Sequence, residues 1–280
     1  MSYNPDRINI HELTVEEPKK QEGLPFDSDT EITEMEWREM KDQLQYYQDN
    51  FEDANFRSLA MALKILDPKI DFGINQDVWF SRLKRKLEEL KQSGVTNWWD
   101  FAKQAAVIKI LSPSFTLDQS DLQGLKTELE DRKKREREKA GTTRFAEYVV
   151  ALKILDPKID LDLNQLDWKR MKDSLEQHRK GASEGESIHW SSFARQAMYM
   201  KIIDTNIDLH LDIASWKGMR DWANDAKKSQ QGPFPWRALE MKILAAERVE
   251  VTDEGLIITM PKRKESIKPE IPPIPEAKQF

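Results

Sequence analysis

Apolar residues recur along the chain at a helical spacing, in a pattern that restarts every 41 to 48 residues. Each restart aligns on a lysine that follows Leu, Ile or Met and precedes Ile and then Leu or Ile. A phenylalanine stands eight residues before this lysine, and Ala or Val stands four residues before it. These offsets share one helical face, so each restart predicts an amphipathic helix that ends near its lysine. The five lysines are Lys64, Lys109, Lys153, Lys201 and Lys242.

A second helix is predicted in four of these units, after a connector that alternates apolar and polar residues. Its marker is an apolar residue followed by a base, and the bases are Lys84, Lys126, Lys172 and Arg220. Polar residues suited to N-capping precede these helices. They are Asn75, Asp118, Asn164 and Asp212. An isolated helix predicted at 31–50 carries the same marker at Lys41.

One ten-residue stretch occurs twice without change, as Ala62–Asp71 and Ala151–Asp160. It consists of an apolar run with a lysine, followed by Asp-Pro, where proline ends the helix. Because the Lys-Ile core of this stretch occurs five times, the stretch is interpreted as a repeated helix end and not as a duplicated active site.

The predicted fold is all-α: an α-solenoid of about five two-helix repeats that carries a short C-terminal β-hairpin. Alternation around a turn at 253–255 predicts the hairpin at 249–260. The repeat domain covers 31–248, between a disordered arm at 1–30 and a disordered Pro/Lys-rich tail at 261–280. Its units are 31–50 (half), 51–94, 95–140, 141–187, 188–232 and 233–248 (half).

Composition narrows the classes of function. The net charge of −6 provides no overall basic field for nucleic acid or an anionic membrane. The chain has no cysteine, which excludes disulfides and thiolate metal sites and is what a reducing cytoplasm permits. No signal peptide and no apolar run of membrane-spanning length is found. A cytoplasmic protein without a membrane partner is expected.

Catalytic and metal-binding chemistry has little support in the sequence. The 4 histidines occur singly, and no phosphate-binding loop or nucleophile elbow is found. Asp160, Asp162 and Asn164 match the first ligand positions of an EF-hand loop, but Gln165 and Met171 occupy its glycine and glutamate positions. No catalytic residue, cofactor, metal or small-molecule substrate is therefore expected.

The recurring bases are the candidate partner-binding residues. Units stacked in register would align the five first-helix lysines in one column and Lys84, Lys126, Lys172 and Arg220 in another. Such columns would suit an acidic protein or a phosphate backbone. The competing interpretation is structural, because a lysine in the last helical turn also interacts with the helix dipole and covers apolar surface with its stem.

Two further features have a functional and a structural interpretation. The basic run at 131–139 suggests nucleic acid, but its i,i+4 acid–base pairs favour an exposed helix end. Trp99, Trp222 and Trp236 fall outside the repeat pattern and are candidate exposed anchors.

The period and the two-helix organisation of 31–248 resemble those of HEAT, armadillo and TPR repeat proteins, without the residues that define any of these families. The Lys-Ile-Leu and Trp-x-x-Met-Lys elements are also similar to those of uncharacterised bacterial helical-repeat proteins. This resemblance implies a non-enzymatic scaffold that binds a protein partner along its repeats. The alternative is a protein associated with RNA or a ribonucleoprotein such as the ribosome.

Overall fold

Ten helices and one β-hairpin occupy the part of the chain that the computed structural model describes: residues 33–49, 53–70, 72, 76–92, 97–135, 143–183, 187–229 and 234–261. The helices are α1 (Glu34–Asp49), α2 (Asp53–Leu66), α3 (Gln76–Gln92), α4 (Trp98–Leu111), α5 (Gln119–Arg135), α6 (Thr143–Leu155), α7 (Gln165–Ser183), α8 (Ser187–Ile203), α9 (Ile213–Ser229) and α10 (Phe234–Ala245). The strands are β1 (Arg248–Thr252) and β2 (Gly255–Thr259). The predicted all-α class with a C-terminal hairpin is confirmed. The predicted arm at 1–30 and tail residues 262–280 lie outside the described residues.

Four of the repeats begin with a helix whose phenylalanine is described and buried. Phe56, Phe101, Phe145 and Phe193 have at most 4% of their surface exposed. The apolar residues that directly precede the repeated lysines are buried as well. The first helices α2, α4, α6, α8 and α10 therefore form the core, as the apolar periodicity predicts.

The second helices begin at the predicted caps. The Asp118 carboxylate accepts a hydrogen bond from the Asp121 amide at 2.8 Å, and Asp212 accepts one from the Ser215 amide at 2.7 Å. The Asn164 side chain accepts from the amide of Asp167 at 3.1 Å. Each contact satisfies an amide of the first turn that has no partner within the helix. Asn75 lies outside the described residues.

The five first helices form a closed circuit, called here the inner ring. Each packs against the next in chain order, and α10 then packs against α2. The second helices α3, α5, α7 and α9 pack on the inner ring, each against the first helix of its own unit, of the next unit, or of both. The predicted α-solenoid did not include this closure. The unpaired helix α1 packs against α2.

In three of the first helices, a polar side chain donates a hydrogen bond to the second helix of the preceding unit. The Gln104 amide donates to the Leu83 carbonyl, Tyr148 donates to the Leu125 carbonyl, and the Gln196 amide donates to the Met171 carbonyl. Gln104, Tyr148 and Gln196 stand five residues before their unit's repeated lysine, and the acceptors are the apolar marker residues of the second helices. The same contact therefore joins three successive pairs of units.

The β-hairpin lies on the inner ring and is not confined to the last repeat. Strand β1 contacts α6 and α8, and β2 contacts α2 and α4. The Val249 amide donates to the Thr205 hydroxyl at 2.9 Å, just beyond the end of α8. The strands pair with Val251 opposite Leu256, and Gly255 has a φ of 127°, which the turn requires. The hairpin covers the end of the inner ring where its helices terminate.

Candidate functional site

Four of the five lysines in the first candidate set donate to backbone carbonyls, three of them at the end of a neighbouring helix and one in the turn after its own helix. Lys201 Nζ lies 3.4 Å from the Leu244 carbonyl, and Lys242 Nζ lies 2.9 Å from the Leu66 carbonyl. Lys153 donates to the Ile203 carbonyl. In these three pairs the acceptor belongs to the next helix of the inner ring and stands two residues after that helix's own lysine. Lys109 donates to the Pro113 carbonyl at 2.6 Å, within its own unit.

These contacts have a direct physical purpose. The last carbonyls of a helix have no partner within the helix, and a cation at this end also interacts favourably with the helix dipole. Burial lowers the pKa of Lys153, Lys201 and Lys242. The structural interpretation thus has a specific contact for four of these lysines, and Lys64 is half-buried at the corresponding position of α2. Partner binding by this set stays a prediction.

The second candidate set lies on the outer helices. Lys84, Lys126 and Lys172 are exposed on α3, α5 and α7, and Arg220 is half-buried on α9. Lys41 is exposed on α1. An exposed glutamate follows each of the first three lysines by one helical turn; these are Glu88, Glu130 and Glu176. The outer helices therefore expose charges of both signs, with Glu130 paired to Lys133 and Glu176 paired to Arg179.

A different set of side chains lies on the face of the first helices opposite their phenylalanines. Positions six and two residues before the repeated lysine and one residue after it share this face. The side chains two residues before the lysine and one residue after it are buried, as at Val107, Ala151 and Ile154. Six residues before the lysine, the exposed fraction of the side chain is 47% for Lys103, 24% for Glu147 and 44% for Arg195. On this face, the side chains six residues before the lysine are therefore partly exposed, whereas those further along the helix are buried.

We call these side chains the mouth of the inner ring. Its rim is the partly exposed set Lys103, Glu147 and Arg195, and its floor is the buried set two residues before the repeated lysines, which is Val107, Ala151, Tyr199 and Glu240. Lys103 Nζ lies 2.9 Å from Glu147 Oε1, which joins α4 to α6. Arg195 Nε donates to Glu240 Oε1 at 3.3 Å, which joins α8 to α10.

Glu240 is the most unusual residue of the mouth. It is fully buried, and its second carboxyl oxygen, Oε2, has no hydrogen-bond partner. Burial raises the pKa of Glu240 to about 7, against the opposing effects of Arg195 and Arg237. Burial, with Glu147 nearby, also raises the pKa of Tyr199. An unpaired buried oxygen is costly, because it loses water without gaining a protein partner.

The tryptophans outside the repeat pattern are half-buried, and Trp99 and Trp222 contact cations. The Arg237 guanidinium lies 4.4 Å from the centre of the Trp222 ring and donates to the Trp222 carbonyl at 3.2 Å. Lys103 and two arginines lie 5.0 to 5.6 Å from the centre of the Trp99 ring. These rings therefore have partners inside the fold, and Trp236 is half-buried on α10.

The basic run at 131–139 is less exposed than the sequence suggested. Arg132 pairs with Glu128 at 2.8 Å, as the i,i+4 spacing predicts. Lys133 is instead buried, and its Nζ donates to the carbonyls of Leu161 and Asp162 in the next unit's connector. The prediction of an exposed helix end is therefore wrong at Lys133, because this lysine holds the connector. Helix α5 ends at Arg135, and 136–139 lie outside the described residues.

The EF-hand-like stretch adopts a local turn. The Asp162 amide donates to the Asp160 carboxylate at 3.0 Å, and Asp162 has a φ of 42°. The carboxylate of Asp160 is thus engaged by its own backbone. Among the described residues, no group of three or more His, Asp or Glu side chains is placed to hold a metal ion.

None of the helices within the described ranges combines the length and the apolar character needed to cross a bilayer.

Neither a protein-family model, nor a curated protein, nor a solved structure matches this sequence. The resemblance to helical-repeat families therefore rests on the period and the two-helix organisation alone, with which the ten described helices are compatible.

Sequence reasoning did not find the mouth. The repeat pattern is defined by the phenylalanine face, which carries no information about the opposite face of the helices. A comparison at the position six residues before each repeated lysine gives Lys103, Glu147 and Arg195 in three successive units. The sequence signal that could have revealed the mouth is this change of charge at one position of helices that are otherwise largely apolar.

Proposed function

We propose that this chain is a non-enzymatic interaction protein whose partner is another protein, bound at the outer helices. The observation that carries this proposal is the charge pattern of α3, α5 and α7. Each helix presents an exposed lysine and, one turn later, an exposed glutamate. A protein surface supplies charges of both signs, whereas a phosphate backbone would meet the glutamates with repulsion.

Exposed apolar residues on the outer helices favour a protein partner as well. Leu166 in the first turn of α7 is 45% exposed, and Ile213 in the first turn of α9 is 84% exposed. Interfaces between proteins combine apolar contact with a charged rim, whereas nucleic-acid interfaces are more uniformly basic. A cytoplasmic setting belongs to the proposal, since a chain without cysteine suits a reducing compartment.

The test is affinity capture from cell extract with two variants that change the net charge equally. The first variant is Lys126→Glu with Lys172→Glu, on the outer helices. The control is Lys69→Glu with Lys158→Glu, which are exposed lysines in the turns after α2 and α6. The same partner should survive nuclease treatment, remain with the control variant and be lost with the outer-helix variant.

Two outcomes would contradict the proposal. Loss of the partner on nuclease treatment, together with salt-sensitive retention of the chain on immobilised RNA, would support the ribonucleoprotein alternative. Equal retention of a nuclease-resistant partner by both variants would show that the outer helices are not the binding surface.

A further inference from the structure

The outer edge of strand β2 carries backbone groups without a partner. Val249 is paired with Ile258, but its amide donates to the Thr205 hydroxyl at 2.9 Å, so the two residues of this pair exchange no hydrogen bond. The pair Val251 and Leu256, two residues further along, is of the same kind. The N–H and C=O groups of Leu256 and Ile258 therefore point away from β1. Within the described residues, no hydrogen bond to these groups is found.

Strand β2 also lacks the features that protect an edge strand. Its sequence, Gly-Leu-Ile-Ile-Thr, contains neither a charge nor a proline. Charged side chains and prolines are devices that keep an exposed edge from pairing with another chain. The side chains of Leu256 and Ile258 pack on the core, whereas Ile257 points to the opposite face and is 46% exposed. An unpaired, apolar edge of this kind is suited to the addition of a further strand.

The edge is complementary to itself when two copies of the chain meet antiparallel about a two-fold axis at Ile257. Leu256 of each copy then lies opposite Ile258 of the other, and each of these pairs exchanges two N–H···O=C hydrogen bonds. The two Ile257 side chains lie directly opposite each other and cover each other from water. Gly255 lies opposite Thr259 of the second copy, so no like charges come together along the strand.

The same arrangement at the edge of β1 is unfavourable. The outward backbone groups of β1 belong to Val249 and Val251, and the Val249 amide is already bonded to Thr205. A two-fold axis at Glu250 would set two carboxylates directly opposite each other, and like charges in this position destabilise a pair of strands. Of the two edges of the hairpin, the edge of β2 is therefore the one that suits a second copy.

Charge complementarity also favours a second copy over an unrelated strand. In the antiparallel pair, the end of each β2 lies beside the hairpin turn of the other copy. This turn carries Asp253 and Glu254, both of which are exposed. The chain continues after Pro261 with three bases in succession, at 262–264. The sequence that leaves β2 is therefore opposite in charge to the turn that it would meet, and this holds at both ends of the symmetric pair.

We propose that β2 pairs with β2 of a second copy of this chain, antiparallel and with Ile257 at the two-fold axis. The two hairpins then form one four-stranded sheet across the dimer. The contact is small, because each copy contributes one strand of 5 residues. Small interfaces are typical of weak, reversible association, so the dimer should form as the concentration rises. This interface goes beyond the function proposed above and does not use the outer helices.

Sedimentation velocity of the full-length chain from about 1 µM to about 1 mM tests the proposal, because a weak dimer should appear within this range. Ile257→Lys sets two ammonium groups opposite each other and should weaken the dimer by at least about tenfold. The control is Met35→Lys, which makes the same change of charge at an exposed apolar residue of α1 and should dimerise as the wild type does. A monomer at every concentration would overturn the proposal, as would an equal effect of the two variants.

Cross-linking tests the register in a chain that has no natural cysteine. Opposite residues of such a pair have Cα atoms about 4.5 Å apart, so Ile257→Cys should form a disulfide between two copies under mild oxidation. Thr259→Cys is the matched control on the same face of the strand. Its two copies would lie four residues apart along the strands, about 13–14 Å, which is too far for a disulfide. Failure of Ile257→Cys to cross-link, or equal cross-linking of both variants, would overturn the proposed pairing.

Discussion

Lys242 Nζ donates to the carbonyl of Leu66 at 2.9 Å, a contact between residues 176 positions apart in the chain. The donor lies in the last turn of α10 and the acceptor is the last residue of α2. Lys153 and Lys201 make the corresponding contact to the next helix along the chain. The contact that joins the last repeat to the first is therefore the same as the contact made by Lys153 and Lys201 between consecutive repeats.

Replacing the closing lysine should destabilise the fold as much as replacing an internal one. Lys242→Met keeps much of the apolar stem and removes the hydrogen bond and the charge at the helix end. The free energy of unfolding should fall by about 1–2 kcal/mol, and Lys201→Met should cause a similar loss. Urea denaturation measures both, with Lys158→Met on an exposed turn as the control. A loss in Lys201→Met without one in Lys242→Met would contradict the closed ring.

The closure can also be measured as a distance. Spin labels on cysteines introduced at Lys69 and Glu247, in a chain without natural cysteine, report on the ends of α2 and α10. Neighbouring helix axes lie roughly 8–10 Å apart, so the labels should be within roughly 20 Å in a closed ring. In an open stack, four helix spacings would separate them by about 32–40 Å. Labels at Lys69 and Lys158 give the control, because α2 and α6 are two spacings apart in both arrangements.

The sequence determined the helices well because their information is local. The phenylalanine, the small residue and the lysine of each unit lie on one helical face, and the caps Asp118, Asn164 and Asp212 stand where the second helices begin. The all-α class and the hairpin followed from these patterns. The unit boundaries predicted with them stay predictions.

Closure and the mouth were not predictable in this way, because both depend on contacts across the ring. The number of repeats is compatible with an open stack or with a closed circuit. The choice depends on the angle between consecutive first helices, which no short motif encodes. Lys103 and Arg195 likewise appear as ordinary helix-surface cations in sequence. Their partners, Glu147 and Glu240, are supplied by the packing of α4 on α6 and of α8 on α10.

Two glycines illustrate how the outer helices approach the inner ring. A Cβ atom at Gly124 would lie 2.3 Å from the Trp98 ring, and one at Gly218 would lie 2.2 Å from the Trp190 ring. Alanine normally stabilises a helix relative to glycine by about 1 kcal/mol. Gly124→Ala should instead destabilise the fold by about 1–3 kcal/mol, because the rigid indole must move.

Thermal denaturation of Gly124→Ala, Trp98→Leu and the double variant tests this explanation. Because the smaller leucine leaves room for the added methyl group, the double variant should be more stable than the sum of the single effects predicts. Additive effects would show that Gly124 is required for a reason other than its contact with Trp98.

The buried carboxyl of the mouth should make stability depend on pH. Burial raises the pKa of Glu240 to about 7, so the folded protein holds this proton at pH values where the unfolded chain releases it. The stabilisation is complete at pH values below the pKa of the unfolded chain, and it is lost as the pH rises through the folded pKa. The free energy of unfolding should thus fall by on the order of 2–3 kcal/mol between about pH 5 and pH 8 from this residue.

Glu240→Gln isolates this contribution. The amide keeps an acceptor for Arg195 and cannot ionise, so the variant should lack this part of the pH dependence and exceed the wild type in stability at about pH 8. Glu147→Gln is the matched control, because Glu147 is part of the rim and remains partly exposed. Chemical denaturation across the pH range measures all three proteins. Parallel pH profiles of the wild type and Glu240→Gln would show that the Glu240 carboxyl ionises in the fold as easily as in the unfolded chain, with Arg195 and Arg237 compensating fully for its burial.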